Sequence, residues 1–204
     1  MVRLLIMDRL IRQDHSFITE EDECYFLMEY IGRGGFDASP VNDFISNLKM
    51  SVKQKNPKRL YHKNRAISDA GILLREALEH FRDNTFVPVP PSKKKDDPEY
   101  DDRLMRILAA ANNPPAVDIR ELIFQTESYE SAHCREDRPR SEYYHSIYQV
   151  YVDKVEPRPS AVVIFDDMVT AGSHYMAMKK KIIEVYGPDM PIKGLFLTRR
   201  IFSE

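Results

Sequence analysis

AVVIFDDMVTAGSH, residues 161–174, changes character halfway along. Ala161–Phe165 are apolar and mostly β-branched or aromatic, the pattern of a strand covered on both faces in a parallel sheet. Asp166 and Asp167 then stand at the carboxyl end of that strand. Thr170, Ala171, Gly172 and Ser173 follow, and a helical pattern starts near His174. Strand, short loop and helix amino terminus together form the usual resting place of a phosphate in an open α/β sheet.

The residue types suit such a ligand. Adjacent carboxylates at a strand end accept hydrogen bonds from two ribose hydroxyls, and their charge favours Mg²⁺ held through water. Carboxylates alone would repel a sugar phosphate. The backbone N–H groups of Ala171, Gly172, Ser173 and His174, with the Thr170 and Ser173 hydroxyls, offset this by surrounding an anion at the positive end of a helix. Glycine at 172 lets the backbone come close. The plainer alternative has Asp166 and Asp167 opening a polar turn and Ser173 capping the helix.

An apolar strand, paired acids, two spacers, then Thr, small, Gly, small resembles the phosphoribosyl pyrophosphate (PRPP) motif of type I phosphoribosyltransferases. The upstream FVPVPP, residues 86–91, is similar to the ComF-like branch of that family. The resemblance implies an α/β fold: a phosphoribosyltransferase-like parallel sheet flanked by helices, with a small N-terminal hood over residues 1–65 and a core over 66–204. It also implies transfer of a phosphoribosyl group from PRPP to a nucleobase or nucleotide acceptor, with release of pyrophosphate and Mg²⁺ as cofactor. Asp166 and Asp167 would then act on the ribose and reach Mg²⁺ indirectly, and residues 170–174 would hold the 5′-phosphate. A PRPP sensor, or a ComF-like DNA-handling module with little turnover, is the alternative within the same resemblance. Ala171 and His174 depart from the family pattern, which favours hydroxyl residues at these positions.

In that family the loop after the first core strand holds pyrophosphate. Here Phe86–Val89 reads as the strand, and Ser92 and Lys93 are the candidate pyrophosphate residues. The same loop carries Asp96, Asp97, Glu99, Asp101 and Asp102; one of the last two caps a helix bearing Leu104, Ile107 and Leu108. Val117–Phe124 contains a second strand. Gln125–His145 then lacks periodicity, as a mobile lid would, and Arg138 and Arg140 are its candidates for phosphate contact on closure. A surface loop with its arginines paired to Glu136, Asp137 and Glu142 accounts for the same composition.

Ser146–Val152 reads as a further strand, and the helix after the phosphate loop carries Tyr175, Met178, Ile182 and Val185 on one stripe before stopping at Gly187. Ile192–Leu197 supplies the last strand. Upstream, Phe44, Ile45 and Leu48 have helical spacing, and a stripe from Ala70 to Phe81 marks a helix capped at Ser68 or Asp69. From Lys49 to Arg65 there are seven Lys or Arg residues and no acid, with Tyr61 and His62 between them. A solvated face is the favoured reading of this run over a nucleic-acid grip.

Composition sets limits. The 204 residues fit one domain with a small appendage. Lys and Arg number 30 against 32 acids, which argues against a nucleic-acid binder that depends on global charge. Cys24 and Cys134 match no ligand spacing and suit a reducing cytoplasm. Leu4–Met7 is too short for a secretory or membrane segment, and the histidines follow no metal-ligand pattern. A homodimer is left open.

Overall fold

The computed structural model describes residues 3–112, 116–129 and 140–202. Among the described residues six strands form one sheet: β1 (Leu5–Ile6), β2 (Glu23–Gly32), β3 (Thr85–Pro88), β4 (Asp118–Ile119), β7 (Val162–Val169) and β8 (Ile192–Phe202), in the order β1-β2-β8-β7-β3-β4. All neighbours are parallel except β1 and β2. A separate antiparallel pair, β5 (Ile123–Gln125) and β6 (Tyr148–Val150), stands beside it. The helices are α1 (Arg9–Arg12), α2 (Pro40–Leu48), α3 (Pro57–His80), α4 (Arg103–Ala111), α5 (Ser141–Ile147) and α6 (Ser173–Tyr186). The α/β class and the mostly parallel sheet agree with the expectation from sequence.

β7 lies inside the sheet, with Ile164 opposite Val87 of β3 on one side and Gly194 of β8 on the other. Val162, Val163, Ile164 and Phe165 are all fully buried. At about 1.5–3 kcal/mol for each such side chain, this run alone strongly favours its position. The chain leaves β3 through α4 toward β4, and leaves β7 through α6 toward β8. Those two connections depart in opposite directions from adjacent strands, so a crevice opens between the carboxyl ends of β3 and β7.

Three expectations change. Residues 23–32, taken as part of a hood, form a ten-residue strand in the main sheet, paired along its length with β8. The helix expected to start at Ser68 or Asp69 starts at Pro57, where Asn56 caps it by accepting from the Lys58 N–H. The boundary expected after residue 65 therefore falls inside α3, which runs for 24 residues. Its Gly71 allows close packing on α4: a Cβ there would sit 2.6 Å from that of Ala110. The strand expected over Ser146–Val152 is shorter, because residues 141–147 form α5 first.

No helix among the described residues is long and apolar enough to cross a membrane.

Candidate functional site

A cleft of about 960 Å³ opens at the carboxyl ends of β3 and β7. Asp166, Asp167, Thr170 and His174 line it from the β7 side, and Ser92 and Lys93 from the β3 side. A smaller cavity of about 60 Å³ adjoins it, walled by Tyr144, Asp166 and residues 168–175. The sheet thus brings the two candidate stretches, after β3 and after β7, to one cleft. Arg140 is exposed at the start of α5 and lines neither cavity. Arg138 lies outside the described residues.

The two acids have different surroundings. Asp167 is 2% exposed, and each of its carboxylate oxygens meets a cation. Lys49 Nζ lies 3.0 Å from Oδ1, while Arg103 places Nε and Nη2 each 2.7 Å from Oδ2. Burial works against the Asp167 charge, but Arg103 and Lys49 outweigh it and hold the carboxyl well below its usual range. Asp166 behaves in the opposite way: burial, and then the Asp167 charge beside it, push its carboxyl up. Asp166 Oδ1 accepts the backbone N–H of Asp167 at 2.8 Å.

Asp167 was expected to receive ribose hydroxyls, and its oxygens are instead engaged by Lys49 and Arg103. Both cations come from outside the motif. Lys49 follows α2 at its C-cap, and Arg103 opens α4. Lys49 belongs to the basic run expected to form a solvated face, and Arg103 follows the expected helix cap. No local signal exposes either, since their partner is far along the chain.

Four of the five acids of the 96–102 loop meet a cation, and the fifth, Asp97, accepts from the Ser128 hydroxyl at 2.6 Å. Lys94 meets Asp96 at 3.0 Å, Lys53 and Lys93 meet Glu99 at 2.9 and 3.7 Å, and Lys63 meets Asp101 at 2.7 Å. Asp102 occupies the N-cap position of α4 without a side-chain cap bond. The adjacent Asp101 instead accepts the Arg103 N–H at 3.2 Å. Local pairing removes the repulsion that so many carboxylates would otherwise present to an anion.

The loop of residues 170–172 is braced from behind by the N-terminal segment. Phe17 N donates to Ala171 O at 2.8 Å, His15 Nδ1 bonds Thr170 O, and Ile18 packs where a Cβ on Gly172 would sit. Gly172 is the N-cap of α6, at φ +88°, and no side chain caps the first turn. Ser173, the cap in the plainer alternative, is the first helical residue.

His174 does not stand as a surface donor. Its ring centroid lies 3.8 Å from that of Tyr144, and its Nδ1 shares a 2.6 Å hydrogen bond with the Tyr148 hydroxyl. Burial, and then the charge of Lys49, push its pKa down to about 4, so the ring is neutral near pH 7. It shapes the small cavity rather than supplying positive charge.

Among the described residues, no group of three His, Cys, Asp or Glu side chains is arranged to hold a metal ion. With Asp167 already carrying two cations, the acid pair does not fit a directly held Mg²⁺. Neutralisation of charge at this point belongs to Lys49 and Arg103.

Compared with known families and curated proteins, the chain matches no family model and no curated protein.

Proposed function

We propose that the cleft binds PRPP or a related ribose phosphate and that the protein is phosphoribosyltransferase-like, passing the phosphoribosyl group to an acceptor with release of pyrophosphate. One observation carries this reading: Asp166, the cation-bearing Asp167 and the uncapped first turn of α6 all meet on the crevice between β3 and β7. The 960 Å³ volume lies at the upper end of small-molecule sites, which suits a sugar phosphate together with an acceptor.

In this reading the amides of residues 172–174 and the Thr170 hydroxyl hold the 5′-phosphate at the positive end of α6. Asp166, which lines both cavities, accepts from a ribose hydroxyl. Lys49 spends one of its three N–H donors on Asp167 and keeps two for leaving-group oxygens, with Lys93 on the opposite wall. Arg103 gives three of its five N–H donors to Asp101 and Asp167 and so orients the acid pair. The C1′–oxygen bond to pyrophosphate breaks as the acceptor supplies the new bonding pair at C1′. Negative charge then grows on pyrophosphate, beside Lys49 and Lys93.

The engagement of Asp167 favours a second reading, in which the same ligand binds without turnover and the protein serves as a sensor. Thermal unfolding with PRPP and magnesium, run beside an assay for released pyrophosphate over a panel of nucleobases, separates the two. Stabilisation with release supports transfer, and stabilisation without release supports the sensor. Absence of any stabilisation overturns both.

A further inference from the structure

Lys63 is a cation inside the protein. It sits on the second turn of α3, its side chain is 1% exposed, and sequence reading had placed it within a solvated basic face. Its Nζ donates to three acceptors: Leu48 O at 3.0 Å, Met50 O at 2.8 Å and Asp101 Oδ2 at 2.7 Å. All three donors of the ammonium are thereby used. The first two acceptors are the carbonyls of the residues on either side of Lys49. The third is a carboxylate whose same oxygen accepts from Arg103 Nη1 at 3.0 Å.

One buried ammonium thus holds the backbone that carries Lys49 and, through Asp101, the guanidinium of Arg103. Those are the two cations on Asp167. Side-chain exposure is 1% at Lys63, 13% at Asp101, 18% at Arg103 and 27% at Lys49, which lines the cleft, while Asp167 between the last two is 3% exposed. The sealed end is fixed and the open end faces the ligand.

We infer that Lys63 is a positioning residue for the anion site: by clamping residues 48–50 and Asp101 together it sets where Lys49 and Arg103 present their charge. The inference rests on the ribose-phosphate reading of the cleft and adds to it a residue that touches no ligand. A purely architectural Lys63 would affect folding and leave the affinity of the folded protein alone. A positioning Lys63 acts through Lys49, so the two substitutions must be coupled.

The test is a double-mutant cycle on PRPP affinity, measured by isothermal titration calorimetry in magnesium buffer on Lys49→Met, Lys63→Met and the pair. The expected result is a loss of about tenfold for Lys63→Met alone and less than about twofold when it is added to Lys49→Met. Losses that multiply in the double variant overturn the inference, as does unchanged affinity in a folded Lys63→Met. Should Lys63→Met fail to fold, Asp101→Asn crossed with Arg103→Met tests the other arm by the same criterion: coupled losses support the clamp and independent losses refute it. If the wild-type protein does not bind PRPP, the failure belongs to the reading of the cleft. Binding by the wild type with additive variants is a failure of the clamp alone.

Discussion

Lys49 Nζ and Asp167 Oδ1 lie 3.0 Å apart, joining the C-cap of α2 to the carboxyl end of β7. The contact makes the acid motif depend on a residue from the first quarter of the chain. Lys49→Met removes one of two cations from a buried carboxylate. We expect a loss of about 1–3 kcal/mol in urea unfolding at pH 7, less than for a wholly unpaired charge because Arg103 remains. The sign with pH follows. Asp167 is held below its ordinary value of 3.8, so its contribution is complete above that value and disappears as pH falls toward the depressed one. The gap between wild type and variant therefore closes below about pH 4, and a gap independent of pH would argue against the pairing.

Gln125 is 4% exposed, and among the described residues neither its Oε1 nor its Nε2 has a hydrogen-bond partner. Removing a buried, unpartnered amide while keeping its volume ought to stabilise the fold. Gln125→Met is expected to raise stability by about 1–2 kcal/mol, which corresponds to roughly 2–8 °C in melting temperature for a chain of this size. Differential scanning calorimetry gives the answer directly. A lower melting temperature would mean that the amide is satisfied by ordered water.

What the sequence revealed, and what it concealed, divides by range. β7, the turn after it and α6 were legible because an unbroken apolar run, two acids and a glycine-bearing turn are neighbours in the chain. β3 was legible for the same reason. β2 was not: its acids, Glu23 and Glu29, obscure the pattern, and its partner β8 lies at the other end of the sequence. The true start of α3 was also hidden, since only a tertiary carboxylate and two carbonyls explain a buried lysine on its second turn. Arg103, next to the expected helix cap, carries no signal of its own in the sequence. Its role appears only when α4 packs near β7 and delivers the guanidinium to Asp167.

Gly172 combines a left-handed backbone with a close neighbour, since a Cβ would lie 2.7 Å from Ile18 Cγ1. Gly172→Ala incurs both the conformational strain and the clash, an expected cost of about 1–3 kcal/mol. If the loop holds the 5′-phosphate as proposed, PRPP stabilisation should also shrink in this variant. Calorimetry with and without PRPP measures both effects, and unchanged melting behaviour would show that the loop does not need glycine.

Asp166 and His174 wall the same small cavity and titrate in opposite senses. Asp166 has a raised carboxyl, so between the ordinary carboxylate range and its raised value the folded protein binds the extra proton, and stability grows as pH falls. His174 is pushed down from 6.5 to about 4, so across that interval the unfolded chain binds the extra proton, and stability declines as pH falls. His15, buried against Thr170 and also shifted down, acts in the same sense as His174. In the wild type these slopes oppose each other between about pH 4 and 6.5. Asp166→Asn removes one side of the balance: urea unfolding should then show stability dropping more steeply from pH 6.5 to 4. His174→Asn removes part of the other, and its curve should tilt toward greater stability at lower pH. Because Asp166 is destabilised when ionised, Asp166→Asn should also exceed the wild type at pH 8 and lose that advantage near pH 4. Parallel curves for wild type and both variants would mean that neither group is displaced from its ordinary titration. The cavity would then be wetter, and less suited to a dehydrated phosphate, than its packing against Tyr144 and Tyr148 indicates.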